Sequence, residues 1–357
     1  MRRSILVAVC LVFLSAPTLA RQAEIRVVDI GPGLCVVAKF PRDYELLYDA
    51  GHWEGSNCYD AVAELVEDGH IEMVVISHPD SDHLGELNEI LLGLDGSQDI
   101  NRAEDDPTRF TAGTILHTGY DRSHENAQGG PTNWREAMAA IEFARQEGAE
   151  VVNLESDPLR PGDEFDMGEA KVTFIAGWHE WNRDYRQQGE VTRENELRNV
   201  ISIVLRVEFE GQSVLLAGDT VGRRLGGSDN ACVDAEAFMV RNSAAVPIRS
   251  DVLISPHHGA DNGNSACFLA EVQPSYMIFS AGHNHDHPTT SAAERAIAVG
   301  IQRARMFRTD RGDDEGGFEW NEGRVTGCSD GTGDDDVRII LGDNGPAVSY
   351  ISQSSGC

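Results

Sequence analysis

The sequence predicts an α/β protein of two stacked sheets with helices on the outside. Two patterns carry this. Apolar runs of strand length alternate with segments of helical spacing from residue 24 onward, in both halves of the chain. Four of the apolar runs also deliver polar clusters at their C-terminal ends: His78 to His83, Asp219, the pair His257 and His258, and His287. Strand ends of this kind are where α/β proteins place their chemistry.

Taken in order, Ile25 to Ile30 and Leu34 to Phe40 read as strands joined at Gly31-Pro32-Gly33, and Glu45 to Tyr48 continues the sheet into Asp49-Ala50-Gly51. Ala61 to Val66 has helical spacing and stops near Gly69. The apolar strand Ile71 to Ser77 runs into the polar loop, and an amphipathic segment begins near Leu84. Residues 95–111 are polar and read as a long surface loop. Gly113 to His117 is a strand, and Asn133 to Gln146 is a helix that starts after Pro131 and ends at Gly148. Val151 to Leu154 and Val172 to Ala176 are short strands. Ile201 to Phe209 and Ser213 to Ala217 form a hairpin about Glu210-Gly211. Val252 to Ser255 and Tyr276 to Ser280 are buried strands, and Ser291 to Val299 is a helix. Beyond Arg311 the chain turns acidic and glycine-rich.

Residues 1–20 carry a basic start, an apolar run from Ile5 to Leu14 and a small residue at Ala20, the pattern of a cleaved signal peptide. That run is too short to span a bilayer, so a soluble secreted or periplasmic protein is expected, with a domain over residues 21–311 and an acidic extension, 312–357, packed on it. The 357-residue chain has a net charge of -30, or -32 once Arg2 and Arg3 are removed (59 acidic against 27 basic), and its only lysines are Lys39 and Lys171. This excludes a diffuse basic surface for nucleic acid and leaves Arg223, Arg224 and Arg308 as candidates for a local basic path. Six cysteines remain after residue 20, none in a C-x-x-C pair, which argues against a cysteine zinc site and for disulfides. Proximity along the chain favours Cys35–Cys58, Cys232–Cys267 and Cys328–Cys357.

The loop His78-Pro79-Asp80-Ser81-Asp82-His83 puts four potential metal ligands into six residues. Neutral imidazole nitrogen and carboxylate oxygen suit Zn²⁺, and the oxygen-rich mixture also admits Mn²⁺. A bland alternative is a polar loop with Asp82 capping the next helix. His52, His70, His117, His124 and His179 read as ordinary surface or packing residues, and His283 and His285 as loop residues. No G-x-S-x-G elbow, Walker A motif or dinucleotide fingerprint is present.

These motifs resemble the metallo-β-lactamase fold superfamily, whose His-x-His-x-Asp-His loop appears here with Asp80 at the second histidine. That variant is similar to the extracellular domain of ComEC-type DNA-uptake proteins. So are Val28-Asp29-Ile30-Gly31-Pro32-Gly33, Tyr48-Asp49-Ala50-Gly51, Asn199 to Ser202 with Leu215 to Asp219, Pro256-His257-His258-Gly259, Gly282 to Pro288, and Arg308-Thr309-Asp310. The likeness runs over residues 25 to 311. It implies an αββα sandwich of two mixed sheets packed face to face, and two divalent ions, Zn or Mn. His78, Asp80, Asp82, His83, Asp219 and His257 would be metal ligands, and Asp82, His258 and His287 would take catalytic roles. The resemblance leaves open which of His257 and His258 is the ligand and whether His287 ligates or donates a proton. Asn199 lies where the wider fold has a third histidine.

The chemistry implied is hydrolysis by a metal-activated water, with a phosphodiester of nucleic acid or nucleotide as the first choice of substrate. Small esters, lactones or β-lactams are the enzymatic alternative, and a catalytically silent metal-binding module is the non-enzymatic one. The acidic tail around Asp334-Asp335-Asp336 lacks the spacing of a calcium loop.

Overall fold

The computed structural model describes residues 21–51, 57–125, 132–177, 194–228, 231–282, 285–312, 316–322 and 335–351. The expected signal peptide, His52, His179, His283 and the third cysteine pair lie outside these residues.

The described residues form two mixed sheets. The first has eight strands: β1 (Gln22–Val27), β2 (Cys35–Phe40), β3 (Tyr44–Ala50), β4 (His70–Ile76), β5 (Thr111–His117), β6 (Glu150–Asn153), β14 (Val337–Gly342) and β15 (Ala347–Tyr350). Their order is β15-β14-β1-β2-β3-β4-β5-β6. The second has seven: β7 (Glu164–Met167), β8 (Ala170–Ala176), β9 (Val204–Phe209), β10 (Gln212–Leu216), β11 (Val252–Ile254), β12 (Tyr276–Phe279) and β13 (Met306–Arg308), in the order β13-β12-β11-β10-β9-β8-β7. The hairpin about Glu210-Gly211 is a two-residue turn with positive φ at both positions, the backbone a tight antiparallel connection needs.

Three apolar layers order the molecule. Between the sheets lie Phe40, Tyr48, Phe174 and Phe209, all 0–1% exposed. Burial of each such side chain contributes roughly 1.5–3 kcal/mol. Helices Asn57–Leu65, Leu87–Leu92 and Thr132–Gln146 cover the outer face of the first sheet. Helices Asp234–Asn242, Ala266–Val272 and Thr290–Ala298 cover the second. The architecture is an αββα sandwich.

The parallel runs β3-β4-β5-β6 and β10-β11-β12-β13 end at one edge of the sandwich. Hence every polar cluster read from the sequence emerges there. The Cys35–Cys58 and Cys232–Cys267 disulfides are formed, as expected of an oxidising compartment. Among the described residues no helix is long and apolar enough to cross a membrane.

Several elements differ from the sequence reading. The segment beyond Arg311 supplies β14 and β15, which complete the first sheet against β1. The polar stretch 95–111 contains a short 3-10 turn, Ile100–Asp105, and folds around buried Asp106, whose carboxylate accepts from the backbone of Asp95, Gly96 and Thr108. The candidate basic path is absent. Arg308 is fully buried against Asp310 and Glu319, Arg223 bonds Asp261, and Arg224 bonds Glu196 and Asp234.

Candidate metal centre

β4 ends at Ile76 and delivers loop 78–83, which turns into a short helix, Ser81–Leu84. Asp80 occupies the capping position but its side chain makes no cap bond, and Asp82 lies inside the helix, so neither carboxylate is spent on capping. The loop is pinned from below. The backbone oxygen of Asp82 accepts from Leu34 N at 3.0 Å. A Cβ on Gly51 would lie 2.0 Å from that oxygen, and one on Gly33 2.5 Å. Only glycines allow this approach.

The four imidazoles are oriented by what their Nδ1 atoms meet. His83 Nδ1–H donates to Asp49 Oδ2 at 2.8 Å, and Asp49 is fully buried with φ at 61°. Ser77 N and Oγ also donate to that carboxylate, at 2.6 and 2.7 Å. With its proton so committed, Ser77 Oγ accepts from His78 Nδ1 at 3.1 Å. His258 Nδ1–H donates to Ser280 O, and His257 Nδ1–H to Asn262 Oδ1, both at 2.8 Å. Each ring therefore turns its Nε2 to the centre, the arrangement that second-layer hydrogen bonds impose on metal-ligating histidines.

Those Nε2 atoms converge on Asp219, which follows β10 and is 3% exposed. Its backbone N donates to Ser202 Oγ at 3.1 Å. Asp219 Oδ1 lies 3.2 Å from His83 Nε2 and 3.4 Å from His258 Nε2. Asp82 Oδ2 lies 3.7 Å from His258 Nε2 and 3.8 Å from His83 Nε2. Ligand atoms of Asp82, His83, Asp219 and His258 all fall within 4.8 Å of one another. His83 Nε2 and His258 Nε2 are 3.2 Å apart. With both Nδ1 atoms committed, the two Nε2 atoms share one carboxylate-lined space, where each needs a proton or a cation. The donor set of two imidazoles and two carboxylates fits a divalent transition ion.

A second group adjoins the first. His78 Nε2 is buried without a hydrogen-bond partner, 3.8 Å from Asp80 Oδ2 and 3.9 Å from Asp219 Oδ2. Asp80 turns its other oxygen to Arg122 Nη1 at 3.2 Å and to Arg198 Nε. His257 Nε2 accepts from Asn199 Nδ2 at 3.1 Å and is 3.7 Å from Asp219 Oδ2. Thus of the two adjacent histidines it is His258 that joins the four-residue cluster. His287 stands one ring away, with centroids 6.2 Å from His258 and 5.9 Å from His257.

Electrostatics follow from burial and neighbours. Burial holds the His78 and His287 rings well below the usual histidine range, so both are neutral. Burial also lowers His257. It opposes charge on His83 and His258 too, but Asp219 and neighbouring carboxylates raise both, His258 to about 10. Burial alone would raise Asp82, yet the His83 and His258 rings hold it below the ordinary carboxylate value. Asp80 is pushed up to about 6 by burial, against the pull of Arg198 and Arg122.

Sequence reasoning missed Asp49, Ser77, Asn262, Arg122 and Arg198 as parts of this site. Asp49 sat in view, in the turn Tyr48-Asp49-Ala50-Gly51.

No protein-family model matches the chain. The competence protein ComA of Neisseria gonorrhoeae is 31% identical over 127 residues, and the match spans 34% of this chain and 16% of that protein's length. Among solved structures, the metallo-β-lactamase fold protein YhfI from Bacillus subtilis is 13% identical, with 78% of this chain and 93% of that one covered and a TM-score of 0.40. Zn²⁺-bound PqqB from Methylobacterium extorquens is 10% identical, with 78% and 96% covered and a TM-score of 0.42. An isothiocyanate hydrolase from Delia radicum gut bacteria is 13% identical, with 83% and 100% covered and a TM-score of 0.41. Likeness at these scores carries no argument. The chain's own two mixed sheets and outer helices form the αββα sandwich that the motif resemblance implied. In this fold the layer order and the shared edge of strand-end loops bring the centre together from segments 49–51, 77–83, 199–202, 218–219 and 256–258.

Proposed function

We propose that this metallo-β-lactamase-fold protein is an exported metal-dependent hydrolase of phosphodiesters. The observation that carries the hydrolase reading is the convergence of Asp82, His83, Asp219 and His258 from three strand ends, with the two Nε2 atoms 3.2 Å apart beside both carboxylates. Asp82, His83, Asp219 and His258 would hold one divalent ion, Zn or Mn, and His78, Asp80 and Asp219 a second. When bound, such ions supply a water of lowered pKa and neutralise charge that develops on the attacked group.

The chain's own residues do the rest. Asp82, 30% exposed at its side chain, is the carboxylate positioned to take a proton from the attacking water. His287 is a neutral imidazole at the rim of the centre, placed to relay a proton: one ring nitrogen takes a proton from water as the other gives its proton to the leaving oxygen. Arg122 and Arg198 pair with Asp80 and Glu125 and hold the Asp80 carboxylate in place beside the centre. The phosphodiester choice rests on the motif resemblance to ComEC-type DNA-uptake proteins, with which the partial match to a competence protein is compatible. A net charge of -30 favours compact diesters over long nucleic acids.

One observation favours the ester or lactone reading. A cavity of about 520 Å³, lined by Asp261, His285, Asp286, Thr289, Glu294 and Phe318, lies one ring beyond His287. Its carboxylates repel a polyanion and its apolar wall accepts a neutral group.

The test is hydrolysis of bis(p-nitrophenyl) phosphate by the mature chain reconstituted with Mn²⁺ or Zn²⁺, beside the Asp82→Ala/His83→Ala variant. Turnover restored by metal and lost in the variant is expected. Turnover of p-nitrophenyl esters or lactones alone would replace the substrate class, and metal bound without turnover of any of these would replace the enzyme reading with a binding module.

A further inference from the structure

The two sides of the centre carry very different charge. On one side stand Asp82 and Asp219, with Asp49 behind His83, and no guanidinium contacts any of the three among the described residues. On the other side Asp80 meets two guanidiniums at a single oxygen, Arg122 Nη1 at 3.2 Å and Arg198 Nε. Glu125 ties the pair together, accepting from Arg122 Nη2 at 2.7 Å and from Arg198 Nη1 at 3.0 Å. Arg122 is further fixed by a 2.7 Å bond from Nη1 to Pro79 O, inside the ligand loop. The side chains of all four residues are largely shielded, between 9% and 21% exposed. Water therefore screens this quartet little.

We propose that Arg122 and Arg198 make the metal centre unequal, so that a divalent ion fills the Asp82–His83–Asp219–His258 side first and the His78–Asp80 side holds a second ion far more weakly. This rests on the metal-centre reading above. The charge balance drives it. Three carboxylates surround the first position, whereas Asp80 and Glu125 on the second side are cancelled by two arginines. Asp80 Oδ2 still faces His78 Nε2, at 3.8 Å, so the second position keeps its ligands, but its one uncancelled carboxylate is Asp219, which it shares with the first position. Coulomb attraction between partly buried charges a few ångströms apart is large enough to separate the two affinities widely. The arginines thus act through Asp80 as positioning and charge-setting residues.

The experiment is calorimetric titration of the metal-free mature protein with Mn²⁺ alone, with the Mn²⁺ spin-resonance spectrum followed in parallel. Two steps separated by about 100-fold or more are expected, the first giving an isolated-ion spectrum. Arg198→Gln is expected to strengthen the second step about 10-fold and leave the first within about 3-fold, while Arg198→Lys, which keeps the charge, leaves the second step weak. Asp80→Asn loses the second ion and keeps the first, so the account remains testable if the arginine variants fold poorly. Two equal steps in the wild type, loss of the tight ion in Asp80→Asn, or a second step weakened by Arg198→Gln would each overturn the asymmetry. No Mn²⁺ bound in either step would instead remove the metal-centre reading itself.

Discussion

Loop 78–83 and the turn Pro256–Gly259 both aim two imidazoles at Asp219, yet they are held in different ways. The loop keeps ordinary backbone angles: Asp80 sits at φ -82° and ψ 150°, and a helix begins at once. Its position comes from beneath, from the Gly33 and Gly51 approach to the Asp82 carbonyl and from the Ser77 and His83 bonds to Asp49. The turn stores its shape in the backbone. His257 (φ 49°) and His258 (φ 55°) are both left-handed, and Gly259 follows at φ 85°. Such angles cost non-glycine residues about 1–3 kcal/mol each. They send adjacent side chains in different directions, His258 into the four-residue cluster and His257 to Asn199 and Asn262. A packed support tolerates no added volume, whereas a strained turn tolerates loss of a side chain but not of its direction.

Reduction is the broadest way to break the comparison. Cys35–Cys58 lies behind the loop, next to Leu34, and Cys232–Cys267 ties the helices on the turn's side. Their separations of 23 and 35 residues predict that opening each costs about 3–4 kcal/mol. Urea unfolding with and without reductant measures it.

Gly51→Ala comes next. Its Cβ would meet the Asp82 carbonyl at 2.0 Å, so the loop must shift, at a cost of about 3 kcal/mol. Thermal unfolding of the metal-free variant should show a clearly lower midpoint. Asp49→Asn removes a charge while keeping volume. It should weaken metal binding about 10- to 100-fold, read by competition with a chelator, because His83 loses its anionic partner. His257→Gly relieves one strained residue and should leave stability within about 1 kcal/mol of the parent, with metal content kept.

The smallest effect sharpens the comparison by pH. One buried glutamate supports each region. Glu86 accepts from Tyr59 N under the loop and is pushed up to about 8 by burial. Glu236 accepts from Asn264 N and Ser265 N under the turn, and burial pushes it up to about 7. Both bind a proton more tightly folded than unfolded. The stability they contribute is complete below the ordinary glutamate value of 4.5 and is lost as pH rises through 7 and 8. Metal-free protein should therefore weaken from about pH 5 to pH 8, with Glu236→Gln removing its share of the slope up to about pH 7 and Glu86→Gln its share across the whole window.

The sequence made the sandwich and its ligand-bearing strand ends legible because both are local patterns. Apolar runs such as Ile71 to Ser77 stand next to their ligands, and Glu210-Gly211 marks its own hairpin. β14 and β15 were hidden because β14 joins the sheet through β1, about 310 residues away in the chain, β15 joins only through β14, and the stretch before them is acidic and glycine-rich. The choice between His257 and His258 was hidden in two backbone angles that no residue type announces. Arg122 and Arg198 were hidden because they meet Asp80 across separations of 42 and 118 residues.

The most direct test of the account is metal content after dialysis of the mature protein loaded with Mn²⁺ or Zn²⁺, measured for the parent, His258→Ala and His257→Ala. The account predicts that the parent and His257→Ala retain a tightly bound ion and that His258→Ala loses it. Full retention in His258→Ala, or loss confined to His257→Ala, would contradict it.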